Sequence, residues 1–273
     1  MTADRPITRV LSIAGSDSGG GAGIQADLKA FARNGVHGMT AITAVTAQNT
    51  LAVSAVEPVS PAMIVAQVRA VVADIGVDAV KIGMLGTADT IAAVEEALDL
   101  MAPGTPVVLD PVMVAESGAE LLEPAARDAL IGRLLPRATV VTPNVAEALV
   151  LAGGPERGSE DLARAVHALG PDVVVVTGGH REDPVDVYFD GERLESLGGP
   201  RFADGAAHGS GCTHSSTLAA QLALGASALE AARTAKAVAA EAVHRGLREL
   251  GGGVGPVAVL GAPGPIDAVS PLA

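Results

Sequence analysis

The sequence predicts an α/β fold built on a mostly parallel sheet, and three observations carry that expectation. Short β-branched runs alternate with longer stretches of helical periodicity, the pattern of βαβ units. Of the 273 residues, 49% are hydrophobic and 18% charged, enough to bury a sizeable core. Glycine-rich or polar segments follow the strand candidates, which is where open α/β sheets collect ligands. No repeat, low-complexity tail or linker divides the chain, so residues 1–273 are expected to form a single domain.

In order, the first strand covers residues 9–14 and runs into the turn from Gly15 to Gly23. Ile24, Leu28 and Phe31, spaced by four and three, mark one buried helix face. Strands are expected at 40–45, 79–82, 107–110, 139–142 and 173–177, with helices at 62–73, 90–100, 124–135 and 161–169. Residues 187–194 read as a hairpin turning on Asp190-Gly191. After Gly209 come two alanine-rich helical segments, the first beginning near Ser215.

Lys and Arg number 18 against 31 Asp and Glu, a net charge of −13, which repels phosphodiester backbones and anionic lipid heads. An aromatic content of 1% also removes the platform for stacking bases, so neither nucleic acid nor membrane is expected as a partner. The lone Cys212 rules out a disulfide framework and suits a reducing compartment. With no basic-then-apolar leader and no apolar run of membrane length, a cytoplasmic location is expected. The histidines form no H-E-x-x-H, and no G-x-S-x-G elbow occurs, so zinc and serine hydrolases are disfavoured.

The Gly15–Gly23 turn has neither the G-x-G-x-x-G register nor a Gly-Lys-Ser/Thr, which disfavours an NAD-dependent oxidoreductase and a P-loop. It is either a loop offering free amides to a ligand at a helix start or a tight, flexible turn. Asp27 and Lys29, one turn into the helix, pattern as surface charges. Gln48-Asn49-Thr50 supplies carboxamides suited to the edge of a neutral heterocycle, or plain turn chemistry. Gly83 would admit a ligand and Met84 would line an apolar slot or the core, while Asp110 places a carboxylate at a strand end. Thr142 and Asn144 suit helix capping with Glu147 in the first turn; alternatively Glu147 holds a divalent cation through water, with Asn144 near a phosphate. The sharpest feature is His208-Gly209-Ser210-Gly211-Cys212-Thr213-His214, whose successive amides at a helix start form an anion site. Cys212 is there either a small buried hydrophobe or, with its pKa lowered by the helix N-terminus, a partly ionised reactive thiol.

These segments, in this order, resemble the hydroxymethylpyrimidine/phosphomethylpyrimidine kinases of thiamin biosynthesis, in the ribokinase superfamily. The likeness spans about residues 10–257 and rests on Ala14-Gly15-Ser16-Asp17, the run from Gly20 to Lys29, Ala47-Gln48-Asn49-Thr50 and Lys81-Ile82-Gly83-Met84-Leu85. Leu109-Asp110, Thr142-Pro143-Asn144, Gly178-Gly179-His180 and the segment from His208 to Thr213 complete it. Most ribokinase-like sugar kinases carry an aspartate where this group has Cys212.

The resemblance implies a central, mostly parallel sheet with helices on both faces, a homodimer, ATP as co-substrate and Mg2+. It implies that Gln48 pairs with the aminopyrimidine, aided by backbone near Ala22 and Thr46, with Met84 and Val112 lining the slot and Asp27 near the hydroxymethyl group. Asn144, Thr177, Thr213 and Asp110 would surround the nucleotide, and Glu147 and Asp110 the magnesium. Gly209 and Gly211 would frame the anion hole, with Cys212 beside the acceptor oxygen as base or orienting group. Two departures stand out. Thr177 occupies the place where many members have Lys before Gly-Gly-His, leaving Lys81 or Arg181 to supply the charge. In Gly251-Gly252-Gly253, some members insert a Lys or His. Lys29, Arg33 and Lys81 are the cations nearest the site in sequence. Pyridoxal or pyridoxine kinase is the nearest alternative, and a non-catalytic pyrimidine-binding protein the alternative of another class.

Overall fold

The computed structural model describes residues 7–115, 118–178, 184–202 and 206–261. Strand β1 (Arg9–Ala14) pairs in parallel with β2 (His37–Ile42) on one side. From Ile42 the chain leaves the sheet to form a separate antiparallel pair, β3 (Ala44–Gln48) and β4 (Val53–Pro58). On its other side β1 is followed by β5 (Ala79–Ile82), β6 (Val107–Leu109), β7 (Val140–Val141) and β8 (Val173–Val176), all parallel. The antiparallel hairpin of β9 (Asp186–Phe189) and β10 (Leu194–Leu197), turning on Asp190-Gly191, closes that edge.

Alternation along the strands feeds two cores. Val10, Val108, Val140 and Val175 pack on one face, and Leu11, Leu109, Val141 and Val174 on the other. The first face is covered by α1 (Gly23–Arg33) and two alanine-rich helices whose numbers close the series, α7 (Ser210–Ala223) and α8 (Ala228–His244). The opposite face is covered by α2 (Pro61–Asp74), α3 (Ala88–Leu98), α4 (Pro124–Ala129), α5 (Val145–Ala152) and α6 (Ser159–His167). This is a ribokinase-like α/β arrangement. No helix among the described residues is long and apolar enough to cross a membrane.

Three expectations need correction. The run at 40–45 is not one strand: buried Thr43 donates its amide to Ala14 O at 3.0 Å and its hydroxyl to Met84 O at 2.7 Å, turning the chain out of the sheet. Leu28 is exposed, and Asp27 takes the inward position beside Ile24 and Phe31. The seventh helix begins at Ser210 rather than near Ser215, which puts Gly211 and Cys212 in its first turn.

Candidate active site

A cavity of about 430 Å³ opens where β1, β5, β6, β7 and β8 end. Ala22, Gln48, Met84, Asp110, Val112 and Asn144 line it. Glu147, Thr177, Gly209, Gly211 and Cys212 also reach it. Three expected residues do not lie on the wall. Thr213 is buried and closes the turn on itself, its hydroxyl donating to Gly209 O at 2.8 Å. Thr46 sits behind Gln48, its hydroxyl 2.8 Å from Ser16 O and 3.2 Å from the Gln48 carboxamide, which it steadies. Asp27 is neither a surface charge nor a wall residue. Its carboxylate is fully buried, accepting from Ser12 and Ser216 at 2.6 Å each and from Lys81 Nζ at 3.0 Å.

Lys81 connects that buried carboxylate to the cavity. Its ammonium also stands 3.9 Å from Asp110, which accepts from Ser215 at 2.9 Å. Burial works against the lysine's charge, but Asp27, with further help from Asp110, outweighs it and holds Lys81 above the ordinary lysine range. Burial raises Asp110 above the ordinary carboxylate range despite Lys81 and Ser215. Gly83 makes room for this ammonium rather than for a ligand: a Cβ there would lie 2.8 Å from Lys81 Nζ. Of the other cations nearest in sequence, Lys29 donates to Gly20 O at 2.6 Å and Arg33 pairs with Glu241, both off the wall. Arg181 and His180 lie outside the described residues.

Of the two readings of Cys212, its surroundings favour the protonated thiol. Burial pushes Cys212 up to about 12; Lys81 offsets this in part, while Asp27 and Asp110 add to it. The opening turn differs from expectation as well. Asp17 fills it from within, its carboxylate accepting from the amides of Gly19, Gly21 and Ala22 and from His208 Nε2 at 2.9 Å. Although burial opposes it, these bonds hold Asp17 below the ordinary carboxylate range. Asn144 caps α5 in a reciprocal box with Glu147, whose carboxylate accepts the Asn144 amide at 2.9 Å. Thr177 donates its amide to Pro143 O at 2.8 Å, beside Asn144.

Distant segments bind the two glycine-rich turns together. Gly209 has φ 84°, and a Cβ there would overlap Gly21 O. Pro256 bridges to His208, and Val257 donates to His208 O at 3.0 Å. Gly251 and Gly253 press on Thr50 at the tip of the β3–β4 pair, leaving no space for a side chain at either position. Sequence reasoning passed over four further wall residues, Thr142, Asp186, His214 and Lys236, as ligand contacts. Thr142 was read as a cap and as part of the Thr142-Pro143-Asn144 segment, His214 stood at the end of the His208–His214 segment with no role given to it, and Asp186 and Lys236 belong to no recognisable motif.

A parallel sheet whose carboxyl ends open on a cavity capped by a glycine-led helix is a small-molecule site of the α/β class. A sequence profile described as phosphomethylpyrimidine kinase matches residues 17–258. The hydroxymethylpyrimidine/phosphomethylpyrimidine kinase of Rhizobium meliloti (strain 1021) is 50% identical over 254 residues, 90% of this chain and 95% of that one. The pyridoxine kinase of Bacillus subtilis (strain 168) is 42% identical, covering 84% and 87%. A solved structure of the pyridoxal kinase from Staphylococcus aureus in complex with AMP-PCP and pyridoxal superposes with a TM-score of 0.83 at 36% identity, covering 93% of this chain and 94% of that one. The chain belongs to the phosphomethylpyrimidine kinase family.

Proposed function

We propose that the protein transfers a phosphoryl group from ATP to the hydroxymethyl oxygen of 4-amino-5-hydroxymethyl-2-methylpyrimidine, and then a second to the monophosphate, in thiamin biosynthesis. The observation that carries this reading is a single cavity in which Gln48 and Met84 share a wall system with the glycine-led start of α7 and Cys212. Family membership and the R. meliloti relative support it. Gln48, backed by Thr46, pairs with the aminopyrimidine, Ala22 lies on the same wall with its amide taken by Asp17, and Met84 and Val112 form the apolar slot.

Phosphoryl transfer passes through a loose transition state, so positioning and electrostatics supply most of the catalysis. Gly209 frames the anion hole, and the amides of Gly211 and Cys212 stabilise charge on the transferring group. A thiol pushed up to about 12 does not ionise before reaction. Cys212 therefore orients the acceptor hydroxyl and acts only late, as a relay: as the new P–O bond forms, its sulfur takes the hydroxyl proton while its own S–H proton passes to an oxygen of the transferred phosphoryl group. Asp27 acts through Lys81 rather than on substrate, and Thr213 by fixing the turn. Asn144, Thr177 and Asp110 form the nucleotide side.

Asp110 and Glu147 both line the cavity, yet among the described residues no cluster of three His, Cys, Asp or Glu could cage a metal. That donor set suits Mg2+, which keeps several waters and is bound by few carboxylates. When bound it would neutralise phosphate charge. The protein acts as one cytoplasmic unit and as a homodimer; exposed Val45 and Val56 on the β3–β4 pair support the latter.

A second reading, pyridoxal or pyridoxine kinase, is favoured by the B. subtilis relative and the S. aureus structure. Magnesium-dependent ADP release with ATP and, separately, the pyrimidine, its monophosphate and pyridoxal decides between them. Turnover of the first two with little of the third is expected. Comparable pyridoxal turnover would make the protein a dual vitamin kinase. Silence with all three, in protein that still binds the pyrimidine, would make it a binding protein.

A further inference from the structure

At the β8 side of the cavity a second polar cluster stands apart from Lys81. Asp186, at the start of β9, is 1% exposed and accepts from the Gly178 amide at 2.9 Å and from Lys236 Nζ of α8 at 2.7 Å. His214 of α7 points Nε2 at its other oxygen from 3.4 Å, a contact that becomes an ion pair when the imidazole is protonated. Burial opposes the charge on Asp186, but His214 and Lys236 hold it below the ordinary carboxylate range.

Two buried groups on this wall are left incomplete. His214 is 4% exposed and Thr142 5%, both line the cavity, and among the described residues neither His214 Nδ1 nor Thr142 Oγ1 has a hydrogen-bond partner. Buried polar groups are nearly always paired, and leaving one unmade is costly. Orphans from two different elements on one wall point to a ligand that completes them.

Charge selects the ligand. Lys81 is shared between two carboxylates, Asp27 and Asp110, so that cluster carries a formal surplus of negative charge. At the other cluster the Lys236 ammonium balances Asp186, leaving the His214 imidazole and the Thr142 hydroxyl as additional hydrogen-bonding groups beside the positive end of α7. Thr177, next to Gly178, brings no charge to this rim. An anion with several acceptor oxygens fits here better than at Lys81.

We propose that His214, positioned by Asp186 and Lys236 and joined by Thr142, binds the phosphates of the nucleotide and supplies the contact that Thr177 does not. The proposal rests on the kinase reading above.

Calorimetric titration with AMP-PCP and Mg2+, and separately with hydroxymethylpyrimidine, tests it on the wild type, His214→Leu, and His214→Leu combined with Thr177→Lys. His214→Leu is expected to weaken AMP-PCP about tenfold and the pyrimidine less than twofold, and the added lysine to restore AMP-PCP to within about threefold of the wild type. Unchanged AMP-PCP affinity in His214→Leu, or equal weakening of both ligands, would overturn it and reduce His214 to packing. If that variant fails to fold, His214→Gln and Lys236→Met decide by the same selective loss or its absence. A wild type that binds the pyrimidine but no AMP-PCP would instead overturn the kinase reading, and this proposal with it.

Discussion

The two glycine-rich turns that meet at the cavity look alike in sequence and use their amides in opposite ways. The turn from Gly15 to Gly23 wraps its amides around its own carboxylate, Asp17. The turn that opens α7 contains no acid, and the amides of Gly211 and Cys212 have no acceptor within the helix. Glycine-rich turns at helix starts are therefore not all anion sites. One with an internal aspartate is a structural joint, already filled, and one without is available to a phosphate. His208 links them, since it starts the open turn and bonds to the Asp17 of the filled one.

The largest expected effect lies in the open turn. Cys212→Ala should lower kcat by about 10²–10⁴, the usual range for losing a proton-transfer group, with KM for ATP little changed. A loss under threefold in folded protein would leave the thiol with a packing role only. Next comes the contact between the turns. Gly209→Ala must leave φ 84° and push back the Gly21 carbonyl, separating the two. Since a misplacement of about 1 Å can cost about 10²-fold, kcat/KM should fall by that order, and a near-normal value would show that the turns work independently.

The smallest effect on chemistry, and a larger one on stability, belongs to the filled turn. Asp17→Ala should cost about 3 kcal/mol by stranding three amides and His208, read as a shift in urea midpoint at pH 7. Formate, a carboxylate without a side chain, should recover part of it; no response would mean the amides find other partners. Asp17 is depressed in the folded state, so its contribution is complete above the unfolded value and fades as pH falls through the folded one. The gap between wild type and variant should be constant from pH 7 to about pH 5 and narrow below about pH 4. A gap that widened on acidification would contradict the assignment.

Much of the fold was legible because strands such as β5 and β8 are β-branched and buried on both sides, a signal that needs no tertiary knowledge. β4 was missed because Val53–Pro58 packs almost nothing and is specified only by its pairing with β3. In the site, the segments that stand at strand ends were found: Gln48, Met84, Asp110, Asn144, Thr177 and Cys212 all reach one cavity. What failed was electrostatics. Whether Asp27 faces solvent or Lys81, and whether Cys212 is ionised or protonated, depends on neighbours brought in from Ser12, Ser216 and Asp110. His214, although it ends the marked segment, was given no role, and Lys236 has nothing near it in sequence to mark it, because the carboxylate they share lies on another element.

The seam that ties Gly253 to Thr50 and Val257 to His208 also has a meaning for the order of events during synthesis. The wall that carries Gln48 and Met84 is translated early and the one that carries Gly209 and Cys212 late, and the segment that clamps them together emerges later still. A nascent chain paused between residues 214 and 257 carries both glycine-rich turns, linked through His208 and Asp17 but without this seam. Products truncated there would lack this clamp and the seam that fixes Thr50 and His208.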